Sequence, residues 1–322
     1  MIARACAVVV AVSVLVIFNS CAHAAPAAIG FVAFDEEPRY SNLLAGLREE
    51  LRSSGLGAEH AVILEHRIRR GDLVGARRAA ELLGEANAQV AFVVGTELTR
   101  HVRSVTTQLP IVFITPGDPV RAGLARSLSR PGNNLTGLTF EFPELSAKRL
   151  GLLKEMSPAA RRIGVVYDSN DNSPQQAFAA TKDAASTSGV QVVAIDVRSL
   201  SSNGRMAERV GKLDGLILVP GGAIGPAIES GIKFAVEQRI ASIGWARTAA
   251  ALDMTLTYGV SDADVTQKAG RLIVRVLRGQ SAGEIPIEQP SRFVLVINLK
   301  AANALGLSIP QSLLVRADQL IQ

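Results

Sequence analysis

The residues able to do chemistry in this chain are few and poorly grouped. It has 322 residues, four histidines and two cysteines. His60 and His66 stand six apart, off one face of a helix and about 20 Å apart along a strand, so the spacing suits a metal site in neither. His101 is isolated on a helical stretch that faces solvent. No G-x-S-x-G, H-E-x-x-H or phosphate-loop pattern occurs. The sequence therefore reads as a non-enzyme, with no metal and no cofactor. Asn134-Leu135-Thr136 matches a glycosylation sequon and is read as coincidence.

The informative polar residues sit where apolar runs end. They are Phe34-Asp35, Gly95-Thr96, Thr115 to Asp118, Asp168-Ser169-Asn170, Pro220-Gly221-Gly222 and Trp245-Ala246-Arg247. Glycine allows close backbone approach and exposes N–H donors. Asp, Thr, Asn and Arg supply a few fixed hydrogen bonds of the kind that orient a small solute. Structural uses compete with this reading. Asp118 precedes Pro119 and can shape a turn, Gly221-Gly222 can be turn chemistry, and Phe34 or Trp245 can be core. Arg247 can meet a ligand carboxylate or face solvent.

The runs that carry these ends read as buried strands. In the first half they are Ile29–Phe34, Val62–Leu64, Ala91–Val94 and Pro110–Ile114. Helical patterns lie between them, over residues 41–53 and from Leu73 to Leu83. The pattern then restarts. Ile163–Asp168 echoes Ile29–Phe34, and the following helix ends at Gly189 as the first ends at Gly55. The interval from Ile to Gly is 26 residues in both copies. Strands follow at 192–195, 216–219 and 241–244. A helix capped by Ser261 or Asp262 runs to Gly279, and a late strand, Phe293–Ile297, precedes a helix near 298–305.

A repeated β-α alternation predicts an α/β protein of two Rossmann-like lobes with parallel sheets, joined by a hinge of several crossings. The lobe boundaries are read as 27–140 plus 252–282, and 141–251 plus 283–322. Ligands of open α/β sheets bind beyond the carboxyl ends of the strands, so the cleft between the lobes is the expected site.

Arg4, the apolar run Ala7–Phe18 and Ala22-His23-Ala24 form a charged, apolar and small-x-small sequence of the secretory type. Cleavage is expected after Ala24, with export to the periplasm. A lipid anchor on Cys21 is the competing reading. Both cysteines, Cys6 and Cys21, precede the mature chain, which then has no disulfide. The net charge of +5 is mild for this length. The run His66-Arg67-Ile68-Arg69-Arg70 has no interleaved aromatics, so nucleic acid is not an expected partner.

Several motifs carry a family resemblance. One is Pro110-Ile111-Val112-Phe113, Asp118-Pro119-Val120, Gly123-Leu124 and Arg130-Pro131-Gly132-Asn133-Asn134-Leu135-Thr136-Gly137-Leu138. Others are Lys148-Arg149-Leu150 with Leu152-Leu153-Lys154-Glu155, and Val296-Ile297-Asn298-Leu299-Lys300 with Ala304-Leu305-Gly306-Leu307. Together they resemble the ABC-type substrate-binding family typified by tryptophan/tyrosine-binding lipoproteins, a group similar to type I periplasmic binding proteins. The resemblance implies a monomeric solute receptor that serves an ABC permease. A ligand-sensing subunit for a membrane signalling protein is the alternative. By analogy with sugar-binding relatives, it implies that Thr115–Asp118, the crossover from Thr139 through Glu141 to Phe142, and Tyr258-Gly259 approach the solute. The chain departs from the family pattern at Asp168–Asn172 and at Pro220-Gly221-Gly222, both at the expected cleft.

Overall fold

A computed structural model describes residues 25–35, 39–69, 71–140, 142–197, 210–220, 225–245 and 253–322. The expected signal sequence lies outside the described residues. In the first half, β1 (Ala27–Phe34), β2 (Ala61–Ile68), β3 (Val90–Val94), β4 (Ile111–Thr115) and β5 (Leu135–Thr139) alternate with α1 (Arg39–Ser53), α2 (Leu73–Glu85) and α3 (Thr96–Val105). The five strands form one parallel sheet in the order β2-β1-β3-β4-β5.

β1, β3 and β4 are buried on both faces, which explains their continuous apolar runs, whereas the edge strand β2 exposes Val62, Glu65 and Arg67. Successive side chains alternate between faces. Ile29, Phe31 and Ala33 join one core with Leu43 and Leu47 of α1. Val32 turns to the other, with Ala76, Ala80 and Leu83 of α2 and Leu98 and Val102 of α3.

The second half repeats the plan. After α4 (Phe142–Met156) come β6 (Arg162–Tyr167), α5 (Asn172–Ser186), β7 (Gln191–Asp196), β8 (Gly215–Leu218), α6 (Gly225–Gln238), β9 (Ala241–Gly244) and β10 (Leu256–Val260). The order β7-β6-β8-β9-β10 is that of the first sheet strand for strand. Two more strands extend this sheet. β11 (Phe293–Asn298) pairs antiparallel with β10, and β12 (Gln319–Ile321) pairs parallel with β11. The β10–β11 pair is an antiparallel exception to the expectation of parallel sheets.

The chain passes between lobes three times. It leaves the first sheet after β5 and returns after β10 into α7 (Asp262–Leu277). That helix packs on α1 and carries Val265, Ala269, Leu272 and Ile273 into the first core. Residues 285–288 then follow the edge of β5, where Glu288 N–H donates to the Gly137 carbonyl. The last passage leads into β11, followed by α8 (Leu299–Ala304) and α9 (Gln311–Arg316).

One lobe boundary therefore moves. The segment from 252 was expected in the first lobe, but β10 belongs to the second sheet, so the crossing falls between Val260 and Asp262. The reason is register: Leu256 and Thr257 pair with Ile243 and Gly244 of β9. A second boundary at 283 moves similarly, because 285–288 still lie on β5.

Asp214 illustrates how the turns are pinned. Its carboxylate accepts the backbone N–H groups of Arg161 and Arg162, both at 2.8 Å. Those bonds hold its pKa below the usual carboxylate value of 3.8. A depressed carboxylate pKa contributes stability that is present above its ordinary value and lost as pH falls through the folded value. Asp214→Ala should therefore lower the melting temperature at pH 7. The gap to wild type should narrow as pH is taken from about 4 downward, as thermal melts across pH will read.

Candidate functional site

The carboxyl ends of both sheets face one another across a cavity of about 350 Å³, a size suited to a small solute. In each sheet the strand order reverses between the first and third strands of the repeat, where ligands of open α/β sheets bind. Phe34 ends β1, and Gly95-Thr96 follow β3 on the other side of that point. Pro220 follows β8 at the equivalent point of the second sheet. All four line the cavity, with Trp245 after β9.

Gly95 has φ 117° and opens α3, a backbone conformation that disfavours any side chain. Its ideal Cβ position points at the Phe34 ring, 3.6 Å away. The starts of α1, α3, α5 and α7 all contribute lining residues, among them Tyr40, Thr96, Asp171 and Ser261. Helix N-termini carry partial positive charge and free N–H groups, which favour an anionic group such as a carboxylate.

Among the lining residues not singled out from the sequence are Arg149 and Tyr40. Arg149 of α4 is 1% exposed, and its Nε donates to the Tyr258 carbonyl at 2.8 Å. Burial pushes its pKa down to about 9, with Tyr258 acting in the opposite sense. The group therefore stays cationic at neutral pH. Tyr40 of α1 is also buried. Its ring meets Phe31 edge-on at 5.0 Å, and the Arg67 guanidinium lies 4.0 Å from its centroid. Burial, with the Glu65 charge second, raises its hydroxyl to about 12, so it remains a neutral donor. Phe34, Tyr40, Phe140 and Trp245 give the cavity four aromatic side chains, although aromatics make up only 4% of the chain.

The other expected residues lie elsewhere. Thr115 is fully buried beneath the cavity, its hydroxyl 2.5 Å from that of Thr96, which it orients. Thr139 donates to the Gly117 carbonyl at 2.6 Å and shapes the loop after β4. Asp118 accepts from the N–H groups of Val120 and Arg121, so it serves the turn through Pro119. Asp168 accepts from Asn170 N–H at 3.0 Å and is 4% exposed, while Asn170 is exposed. Asp35 is exposed and pairs with Arg67. The Tyr258 ring turns to Phe293, 6.0 Å away. Its neighbours Thr257 and Gly259 line the cavity instead, as alternation along a strand requires. None of Asp35, Thr115, Asp118, Thr139, Asp168, Asn170 and Tyr258 lines the cavity. Glu141, Gly221 and Arg247 lie outside the described residues, and no cluster of metal-ligating side chains occurs among those described.

The lobes also touch. A Cβ on Gly117, after β4 of the first lobe, would lie 2.4 Å from Ser173 Oγ of the second, and Ser173 is buried. Asp171 caps the helix that carries Ser173 by accepting its N–H at 3.1 Å. Two similar α/β lobes thus close on a cavity with strand ends on both sides, and the sequence comparison agrees. Residues 28–321 match the family described as ABC transporter substrate binding protein. The chain belongs to that family.

A curated relative, the tyrosine-binding protein of Clostridioides difficile strain R20291, is 25% identical over 295 residues, 90% of this chain and 85% of the relative. Among solved structures, a conserved domain protein from Vibrio cholerae is 25% identical with a TM-score of 0.80, covering 92% of this chain and 99% of that one. An ABC domain in complex with L-Trp from Streptococcus pneumonia has a TM-score of 0.82 at 22% identity, covering 92% and 100%.

The close Gly117–Ser173 approach in this substrate-binding protein makes a direct prediction. Gly117→Val should wedge the lobes apart. Small-angle scattering should show a larger radius of gyration, and solute affinity should drop at least tenfold. A variant as compact as wild type would disconnect this contact from closure.

Proposed function

We propose that this protein is the exported solute receptor of an ABC importer. In this reading it binds an amino-acid-like solute with an apolar or aromatic side chain, by closing its two lobes. The carrying observation is a single cavity that joins aromatic side chains from both lobes to a buried cation, Arg149. Arg149 and the converging helix starts suit the solute's carboxylate. Glu97 and Asp171 at the cavity wall suit its ammonium group, and Phe34, Phe140 and Trp245 suit its side chain. The tyrosine-binding relative and the L-Trp complex support the ligand class.

Closure follows from linkage. A solute that touches strand ends of both lobes binds the closed form better, and that difference shifts the population. The receptor would then present the closed form to a permease and work as a monomer. Export is supported by the family, whose members are typically extracellular or periplasmic, and by the residues before 25. Among the described residues no helix is long and apolar enough to cross a membrane.

Calorimetry and thermal shift with a panel of the twenty amino acids and common sugars test the reading. An aromatic or large apolar amino acid should bind and raise the melting temperature by several degrees. A ligand present at a hundred times its Kd contributes about 2.7 kcal/mol to the folded state. Intrinsic Trp245 fluorescence should change on addition of a non-fluorescent solute from the same class. Binding of sugars alone would overturn the ligand class, and steady turnover of a bound solute would overturn the receptor reading. Arg149→Met should weaken a carboxylate-bearing solute about ten- to a hundredfold, the range of a lost hydrogen bond to a charged group.

A further inference from the structure

The cavity does not stop at the strand ends. It continues behind the cleft as an arm along α1, which presents Arg39, Asn42, Leu43 and Gly46 to it. That is the i, i+3, i+4, i+7 stripe of one helix face. The opposite wall is one face of the β10–β11 ladder. Thr257 and Gly259 line it with their cross-strand partners Val296 and Val294. Gln319 of β12, the partner of Val296, continues that wall. Ser261 and Asp262 bound it at the start of α7. Asn42 and Ala263 are exposed, so the arm reaches the surface on the hinge side.

Length and chemistry limit what can fill it. The eight residues of α1 from Arg39 to Gly46 rise about 10 Å. An extended residue spans about 3.5 Å, so the arm has room beyond a single amino acid. Leu43, Val294 and Val296 make part of its wall apolar, and Asn42, Thr257, Ser261, Asp262 and Gln319 make part of it polar. The buried donor is Arg39. Its Nε is buried and makes no hydrogen bond among the described residues. It faces Asp262 Oδ1 at 3.5 Å, longer than an N–H···O bond. A carbonyl or carboxylate oxygen would satisfy that donor, and a buried donor gains most from doing so.

We propose that this arm is a second subsite. The solute it admits is an extended amino-acid derivative of dipeptide length, with its aromatic or apolar group at the strand ends and an oxygen acceptor on Arg39 Nε. The proposal rests on the receptor reading above. The competing origin of the arm is space left between α1 and the β10–β11 ladder when the lobes close.

Calorimetry on the full chain with L-Trp, L-Tyr and the dipeptides Trp-Gly, Tyr-Gly and Gly-Trp separates the two. At least one dipeptide should bind tenfold or more tightly than its aromatic amino acid. Asn42→Trp, at an exposed helix position, should obstruct the arm without disturbing the core, with circular dichroism as the check on folding. Arg39→Met removes the donor. Each variant should weaken the dipeptide at least tenfold more than the single amino acid. Dipeptides that bind no better than amino acids, or variants that affect both alike, would overturn the arm and leave the receptor reading standing. Binding of neither class would overturn both.

Discussion

The bond between Arg149 and the Tyr258 carbonyl is the constraint around which this architecture is arranged. A guanidinium at 1% exposure has lost its water, and an interior cation is costly unless fixed dipoles replace that water. Here the carbonyl belongs to β10, the last strand before the chain returns to the first lobe. Arg149 itself belongs to α4, the first helix after the chain leaves it. The bond therefore ties two of the three passages together within the second lobe. The third passage runs from residues 285–288, on the edge of β5, into β11. Arg149, Thr257 and Gly259 all belong to the second lobe's part of the cavity wall.

On the proposed reading, closure is governed by what meets across the cleft. Gly117 and Ser173 approach so closely that no side chain fits between them. Thr139, through its bond to the Gly117 carbonyl, sets the path of that loop. Thr139 ends β5, so the first lobe's last strand, its closing loop and the first passage are mechanically one unit. Packed interfaces of this kind favour discrete arrangements over continuous deformation. A solute enters this balance only through contacts it makes to both sides.

The sequence revealed the strands and the duplication, because a parallel strand buried on both faces is an uninterrupted apolar run. It did not reveal β5, whose Leu135-Thr136-Gly137-Leu138-Thr139 mixes polar and small residues. It also missed β10, whose membership depends on pairing with β9, and β12, which is three residues long. Phe34, Gly95, Thr96, Pro220 and Trp245 were legible as cavity residues for one reason: position at a strand end follows from the pattern alone. Arg149 was not, since Lys148-Arg149 on a helix reads as a solvated charge until the sheet order shows which face is covered. Asp118 and Asp168 were legible as polar ends. Whether a short carboxylate turns to the cleft or back to its own backbone depends on turn geometry that the pattern does not carry, and both turn back.

The two lobes repeat each other through five strands and then differ, and the difference is where selectivity can arise. Duplication alone would give a symmetric cleft, with equivalent strand ends on each side. The second sheet goes on to add β11 and β12 beyond β10, and these have no counterpart in the first. Their face toward α1 is apolar at Val294 and Val296 and polar at Gln319. They thereby extend the cavity past the region that the repeated strands define. On the proposed reading, the repeated part of the fold supplies the facing strand ends that hold the solute's carboxylate and ring. The unrepeated tail, through Val294, Val296 and Gln319, continues the wall that Thr257 and Gly259 of β10 begin opposite the α1 stripe, and on the proposed reading it sets how long a solute can be.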